Sequence, residues 1–199
     1  MEKFEKYTGV AAPMEVDDVD TDQIIPVRFC SGVDKSGLDA ALFADWRESP
    51  EFVLNIEPFT GSSVLVAGEN FGCGSSREWA VWALQAFGFS AVLAPRFGDI
   101  FTGNSFKNGL LLVELDSGEI EQIWKEIDQD PGLEVTVNLR EQLVHAGDLT
   151  FGFTVDPTHR QRLLDGTDDI DLTLEYAADI AAFEARRRPT LPTARRIGA

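Results

Sequence analysis

Cysteine and histidine are nearly absent. Cys30 and Cys73 are the only thiols in 199 residues, and His145 and His159 the only imidazoles. Two cysteines are too few for a disulfide framework, and a four-thiolate iron–sulfur site needs more ligands than the chain has. The histidines stand alone, without metal-ligand spacing, so no metal site is predicted. Basic charge is the next shortage. Seventeen Lys and Arg face 34 Asp and Glu, a formal net charge of −17. That balance argues against nucleic acid and anionic membrane surfaces as partners, because both are held by a basic face. No charged-then-apolar leader opens the sequence, and no apolar run approaches the ~18 residues of a membrane span. The expected location is the cytoplasm.

What is present is the composition of a soluble globular domain, 44% hydrophobic and 26% charged. The length suits one domain with a proper core, and no internal repeat or long linker divides it. The chemistry is expected in Gly68-Glu-Asn-Phe-Gly-Cys-Gly-Ser-Ser-Arg-Glu78. Ser63-Val-Leu-Val-Ala67 before it is brief, β-branched and glycine-bounded, which predicts a buried strand. Trp79 to Phe87 after it is long and apolar enough for a buried helix, stopped by Gly88. Ser90-Ala-Val-Leu-Ala94 then predicts a second strand. Strand, glycine loop, helix and strand make a crossover whose loop lies at the carboxyl edge of a sheet, where ligands bind.

Gly72 and Gly74 let the backbone approach a ligand or take positive φ. Ser75, Ser76 and Arg77 arrive where a helix begins, with unpaired amides and the positive dipole end, and Arg77 adds a planar fork. This is a site for a carboxylate or phosphate. The competing reading is local: Ser75 and Glu78 form an S-x-x-E capping box, so Ser75 could simply cap the helix. Phosphate-loop and dinucleotide fingerprints are not matched, because Arg77 follows the serines and no glycine lies between Ser75 and Phe87. Cys73 is either a reactive thiol at a helix start or, the favoured reading, a small buried side chain.

Three blocks carry a family resemblance. Gly72-Cys-Gly-Ser-Ser-Arg-Glu78 resembles the G-x-G-S-S-R-E signature of the swivel domain of the aconitase superfamily. Val19-Asp-Thr-Asp-Gln-Ile-Ile-Pro26 is similar to the V-D-T-D-x-I-I-P segment of its stand-alone small subunits. Arg96 to Leu111 resembles the third block, F-x-D-I-F-x-x-N-x-x-x-x-G-L-L. The likeness covers nearly the whole chain.

It implies a single α/β swivel domain with a mixed sheet over residues 1–188, followed by a flexible tail over 189–199. It implies a hydro-lyase that dehydrates and rehydrates a small hydroxy-dicarboxylate, with Ser75 as the base that takes a carbon-bound proton. Ser76, Arg77 and Gly74 would bind a substrate carboxylate. No cofactor would be bound by this chain; a large-subunit partner would supply a [4Fe–4S] cluster. Val27 to Gly37 resembles a substrate-selecting loop, with Phe29-Cys30 where the family usually has Phe-Leu and Arg28 just before. Phe29 favours an alkyl-substituted substrate; an inward Arg28 would favour a third carboxylate, as in homoaconitase-type enzymes. A citraconate-type hydro-lyase and a non-catalytic carboxylate-binding module are further alternatives. Asn104, Lys107 and Asp22 are possible further site residues, and Asp20, Thr21 and Asp22 are expected mainly to order their turn. Trp79 stands where the family usually has His, so the local hydrogen bonding must differ.

Along the rest of the chain, residues 1–18 predict an opening strand or hairpin. Ile24-Ile-Pro26 reads as extended, and Leu42 to Trp46 as a short helix. Helices are predicted over 98–108, 119–128, 158–164 and 169–188, and strands over 110–114, 133–137 and 149–155. Early strands are expected in crossovers and later ones in a meander.

Overall fold

A computed structural model describes residues 1–31, 36–75 and 77–187. Its contacts divide the chain into two compact units, Met1–Gly166 and the residues from Thr167 onward. The first unit is built on one sheet of seven strands: β1 (Lys6–Met14), β2 (Val64–Ala67), β3 (Ala91–Ala94), β4 (Leu111–Glu114), β5 (Glu134–Asn138), β6 (Leu143–Ala146) and β7 (Leu149–Gly152). The strand order is β4-β3-β2-β1-β5-β6-β7. β1 to β4 pair in parallel, whereas β1, β5, β6 and β7 pair antiparallel. β1 therefore joins a crossover half to a meander half, the mixed sheet that the sequence predicts.

The two halves differ in cover. Every residue of β2 and β3 is buried, which explains their unbroken apolar runs. β5 and β6 instead alternate between buried and more exposed positions, the pattern of strands covered on one face. Cover for the parallel half comes from α3 (Glu78–Phe87), α4 (Asp99–Asn108) and α5 (Ser117–Gln129). α5 presents Ile120, Ile123 and Ile127 to the core on one stripe and anchors itself by Trp124 Nε1 donating to the Val66 carbonyl at 3.0 Å. Its start carries a capping box from Asp116 and Glu119.

Several expectations shift in detail. The segment after β1 folds as a one-turn helix, α1 (Thr21–Ile24), so extended backbone begins only at Ile25. The short helix expected over 42–46 lies earlier, as α2 (Leu38–Ala41), with a 3-10 turn at Trp46–Glu48. β6 is not predicted from sequence, because Leu143-Val-His-Ala146 is too short and mixed to stand out. α6 (Pro157–Asp165) starts on Asp156, whose carboxylate accepts from the amides of Thr158 and His159. In the second unit the single helix expected over 169–188 is broken into α7 (Asp169–Leu174) and α8 (Ala177–Ala185). Ile170, Leu174, Tyr176, Ile180 and Phe183 on them are exposed. Residues 32–35 of the expected substrate loop and the expected tail over 189–199 lie outside the described residues. Among the described residues, no helix is long and apolar enough to cross a membrane.

Candidate active site

The loop between β2 and α3 lies at the carboxyl edge of the parallel half, held between two neighbouring segments. On one side Gly72 N donates to the Val19 carbonyl at 2.7 Å and Thr21 N to the Cys73 carbonyl at 3.0 Å. Asn70 Nδ2 reaches Asp18 Oδ1 at 2.7 Å. On the other side Phe71 N donates to the Arg96 carbonyl, and Gly98 N returns a bond to the Phe71 carbonyl, each at 3.0 Å. The approach is close enough to require glycine. A Cβ on Gly72 would fall 2.4 Å from Phe101 Cγ, and its φ is +73°. A Cβ on Gly98 would fall 2.5 Å from the Gly72 carbonyl oxygen.

This clamping sets Ser75 at the tip. Thr21 Oγ1 donates to the Ser75 carbonyl at 3.2 Å, and Arg77 N donates to the same oxygen at 2.9 Å. The Ser75 residue is exposed, and its Oγ makes no hydrogen bond to a described residue. The capping box drawn from sequence is therefore not formed. α3 starts at Glu78 with Arg77 as N-cap and no side-chain cap bond, while Glu78 Oε1 accepts from Asn108 Nδ2 at 2.7 Å. The reason is that Ser75 lies three residues ahead of the helix, with its carbonyl drawn aside by Thr21. Ser76 lies outside the described residues.

Arg77 forms an ion pair with Asp22, on the first turn of α1. Asp20 caps that helix, accepting from the amides of Asp22 and Gln23 at 2.8 Å each, while Gln23 Oε1 accepts from Asp20 N at 2.7 Å. The expected ordering role of the Asp20–Asp22 turn thus has a concrete form, and Asp22 faces the arginine fork besides. Cys30 belongs to the same group. Burial raises its thiol pKa above the ordinary value, the neighbouring Arg77 charge opposes this, and Asp22 adds to it. Cys73 is raised too, first by burial and then by the charges of Asp20 and Asp18. Both thiols stay protonated at neutral pH, which makes them poor nucleophiles.

The structure thus gathers Gly74, Ser75, Arg77, Asp22 and Cys30. It does not bring Arg28 to them. That guanidinium pairs with Asp45 and sits 4.7 Å over the Phe29 ring, and Phe29 is 37% exposed. Asn104 is half-buried on α4 and Lys107 exposed beside it, with no bond from either side chain to Ser75 or Arg77. Sequence reasoning named Thr21 only as ordering its own turn, not as a partner of Ser75, and it missed Asn108. Thr21 is 1% exposed, a buried hydroxyl aimed at the loop, and the Asp20-x-x-Gln23 box that positions it was readable. Nothing in the sequence pointed from Asn108 to Glu78.

Concavities of about 390 and 510 Å³ lie elsewhere on the chain, and neither is lined by Ser75 or Arg77. Nor do the residues fit an iron–sulfur cluster. The chain has two cysteines, and among the described residues no three His, Cys, Asp or Glu side chains converge as a metal would require.

A crossover sheet with a serine–arginine loop at its carboxyl edge defines the class, and comparison agrees. The family model described as "Aconitase C-terminal domain" matches residues 1–118, so the chain belongs to that family. A model described as LeuD_N matches 121–157, and one for the C-terminal domain of the 3-isopropylmalate dehydratase small subunit matches 169–194. The 3-isopropylmalate dehydratase small subunit of Micrococcus luteus is 51% identical, with all of both chains covered. That of Kineococcus radiotolerans is 55% identical over 97% of this chain and 96% of its own. A solved 3-isopropylmalate dehydratase (leuD) from Methanocaldococcus jannaschii superposes with TM-score 0.68 and 27% identity, covering 89% of this chain and 98% of its own. Within the aconitase-type domains the chain belongs to the small subunits of 3-isopropylmalate dehydratase, a hydro-lyase of leucine biosynthesis.

Proposed function

We propose that this chain, paired with a large subunit, interconverts 2-isopropylmalate and 3-isopropylmalate through 2-isopropylmaleate, with Ser75 as the base. The observation that carries the reading is the contrast at Ser75: a carbonyl held by the Thr21 hydroxyl and the Arg77 amide, and a side-chain hydroxyl with no bond to a described residue. Ser75 Oγ takes the carbon-bound proton as the neighbouring carbon loses hydroxide, leaving the carbon–carbon double bond. Water adds back with its hydroxyl on the other carbon, and Ser75 returns the proton to the carbon that lost hydroxide. A serine hydroxyl is too weak an acid to ionise unaided near neutrality. The start of α3, free of any side-chain cap, and the Arg77 charge supply the field that lowers that cost.

Arg77, with Ser76 and the Gly74 backbone, binds one substrate carboxylate. Asp22 holds the same guanidinium in the free chain, so the incoming carboxylate exchanges with an anion already there and the fork stays ordered. The two cysteines cannot hold a [4Fe–4S] cluster, so we assign that group to the large subunit, where it supplies the Lewis acid for the hydroxyl. Phe29 and Cys30 face the alkyl group. The position of Arg28 supports this over a third-carboxylate substrate, because it pairs with Asp45 on the surface and makes no contact with Ser75 or Arg77. Lys107 and Asn104 are kept as contacts made only in the assembled enzyme.

The test is an anaerobic mixture of this chain with cluster-loaded large subunit, assayed on 2-isopropylmalate, citraconate and homocitrate. Turnover only in the mixture and favouring isopropylmalate is expected. A preference for homocitrate would move the assignment to a homoaconitase-type enzyme. A stable complex inert on all three would leave a carboxylate-binding module.

A further inference from the structure

α3 begins at the residue after Arg77 and lacks a side-chain cap, which leaves its first turn prone to fray. What holds it is a clasp to the next helix. Trp79 stacks edge-on against Trp82 with ring centroids 5.1 Å apart. Trp82 Nε1 donates to Asn108 Oδ1 at 2.9 Å, and Asn108 Nδ2 donates to Glu78 Oε1 at 2.7 Å. The chain of contacts leaves the first turn at Trp79 and returns to it at Glu78. Two further bonds fix the hinge of the clasp: Asn108 Nδ2 also reaches the Asn104 carbonyl at 2.9 Å, and Gln85 Nε2 donates to the Asn108 carbonyl at 2.8 Å. Asn108 itself is rigidly placed, since it closes α4 just before the left-handed Gly109. The other end of α4 holds the loop directly, through Phe101 against Gly72 and Phe71.

We infer that Asn108, acting through Glu78, is a positioning residue for Arg77 and does for α3 what an N-cap would otherwise do. The inference rests on the reading of Arg77 as the carboxylate receptor. A single α4 helix then sets both ends of the active loop, Phe101 its entry and Asn108 its exit. A planar bidentate contact tolerates little displacement, so loosening the first turn weakens substrate binding more than it lowers turnover.

Asn108→Asp tests this with almost no change in shape. It keeps the acceptor for Trp82, removes the donor to Glu78 and sets two carboxylates face to face. In the reconstituted enzyme the KM for isopropylmalate should rise about fivefold, the loss expected when part of one charge-assisted hydrogen bond is given up, with kcat per folded enzyme nearly kept. Glu78→Gln combined with Asn108→Asp rebuilds the bond with donor and acceptor exchanged and should recover most of the KM. In the small subunit alone, amide exchange at residues 79–81 should speed up in Asn108→Asp and slow again in the double variant. An unchanged KM with only a lower unfolding temperature would overturn the inference, as would a raised KM that the double variant leaves raised. If the wild-type mixture turns over none of the substrates, the functional reading fails while the exchange experiment still decides the clasp.

Discussion

The two halves of the sheet share β1 and little else. On the parallel side β2 and β3 are buried throughout, and their crossover loops meet at one edge, where Ser75 and Arg77 sit. On the antiparallel side β5, β6 and β7 are joined by tight connections and alternate inward and outward residues. Parallel strands need long returns, and those returns deliver helix starts and glycine loops to the same edge. A meander returns its chain in a few residues and has nothing comparable to deliver. The difference teaches why one half carries the candidate chemistry and the other completes the core.

That comparison can be broken by substitution. Leu93→Ala, in a fully buried position of β3, should cost about 2–5 kcal/mol in urea unfolding of the free chain, whereas half-buried Leu149 of β7 should lose about 1 kcal/mol or less. Equal losses would erase the distinction between the halves. Gly72→Ala comes next. Contact with Phe101 should cost about 1–3 kcal/mol, and the left-handed φ about another 1 kcal/mol. Activity should fall further than stability, because the loop must shift. Arg77→Lys keeps the charge and removes the fork, so KM for the substrate should rise about 10- to 100-fold in steady-state kinetics with the fold intact.

How much of this was legible follows the same division. The runs Ser63 to Ala67 and Ser90 to Ala94 announced buried strands because burial on both faces leaves no polar residue to confuse the pattern. β6 was missed because its half-buried alternation over four residues is indistinguishable from a turn. Gly72-Cys-Gly-Ser-Ser-Arg-Glu78 marked the loop, yet the capping box read into Ser75 and Glu78 was wrong. Spacing along the chain says nothing about Thr21, which pulls the Ser75 carbonyl, or Asn108, which takes Glu78. Those partners are 54 and 30 residues away, and only the fold supplies them. The break between α7 and α8 was hidden for another reason: apolar residues at near-helical spacing run through Leu174 and Tyr176 without a proline or glycine to mark the stop.

The smallest predicted effect lies outside both regions. Two backbone amides, those of His159 and then Thr158, hold the Asp156 carboxyl below its usual range. Its folded pKa is depressed, so its contribution to stability is complete above the unfolded value and is lost as pH falls through the folded one. Asp156→Ala should lower the unfolding temperature slightly at neutral pH, and the deficit should vanish in acid, as thermal melts across pH would record.

The central claim is that the exposed hydroxyl at the tip of the clamped loop does the proton transfer. The most direct measurement is kcat for isopropylmalate of the reconstituted enzyme carrying Ser75→Ala, beside melts of the free small chain and titration of the complex. A kcat lower by about 10²- to 10⁴-fold, with affinity for the large subunit and unfolding temperature unchanged, is the predicted result. Turnover close to that of the unaltered enzyme would contradict the account and leave Ser75 as a turn residue beside a carboxylate site.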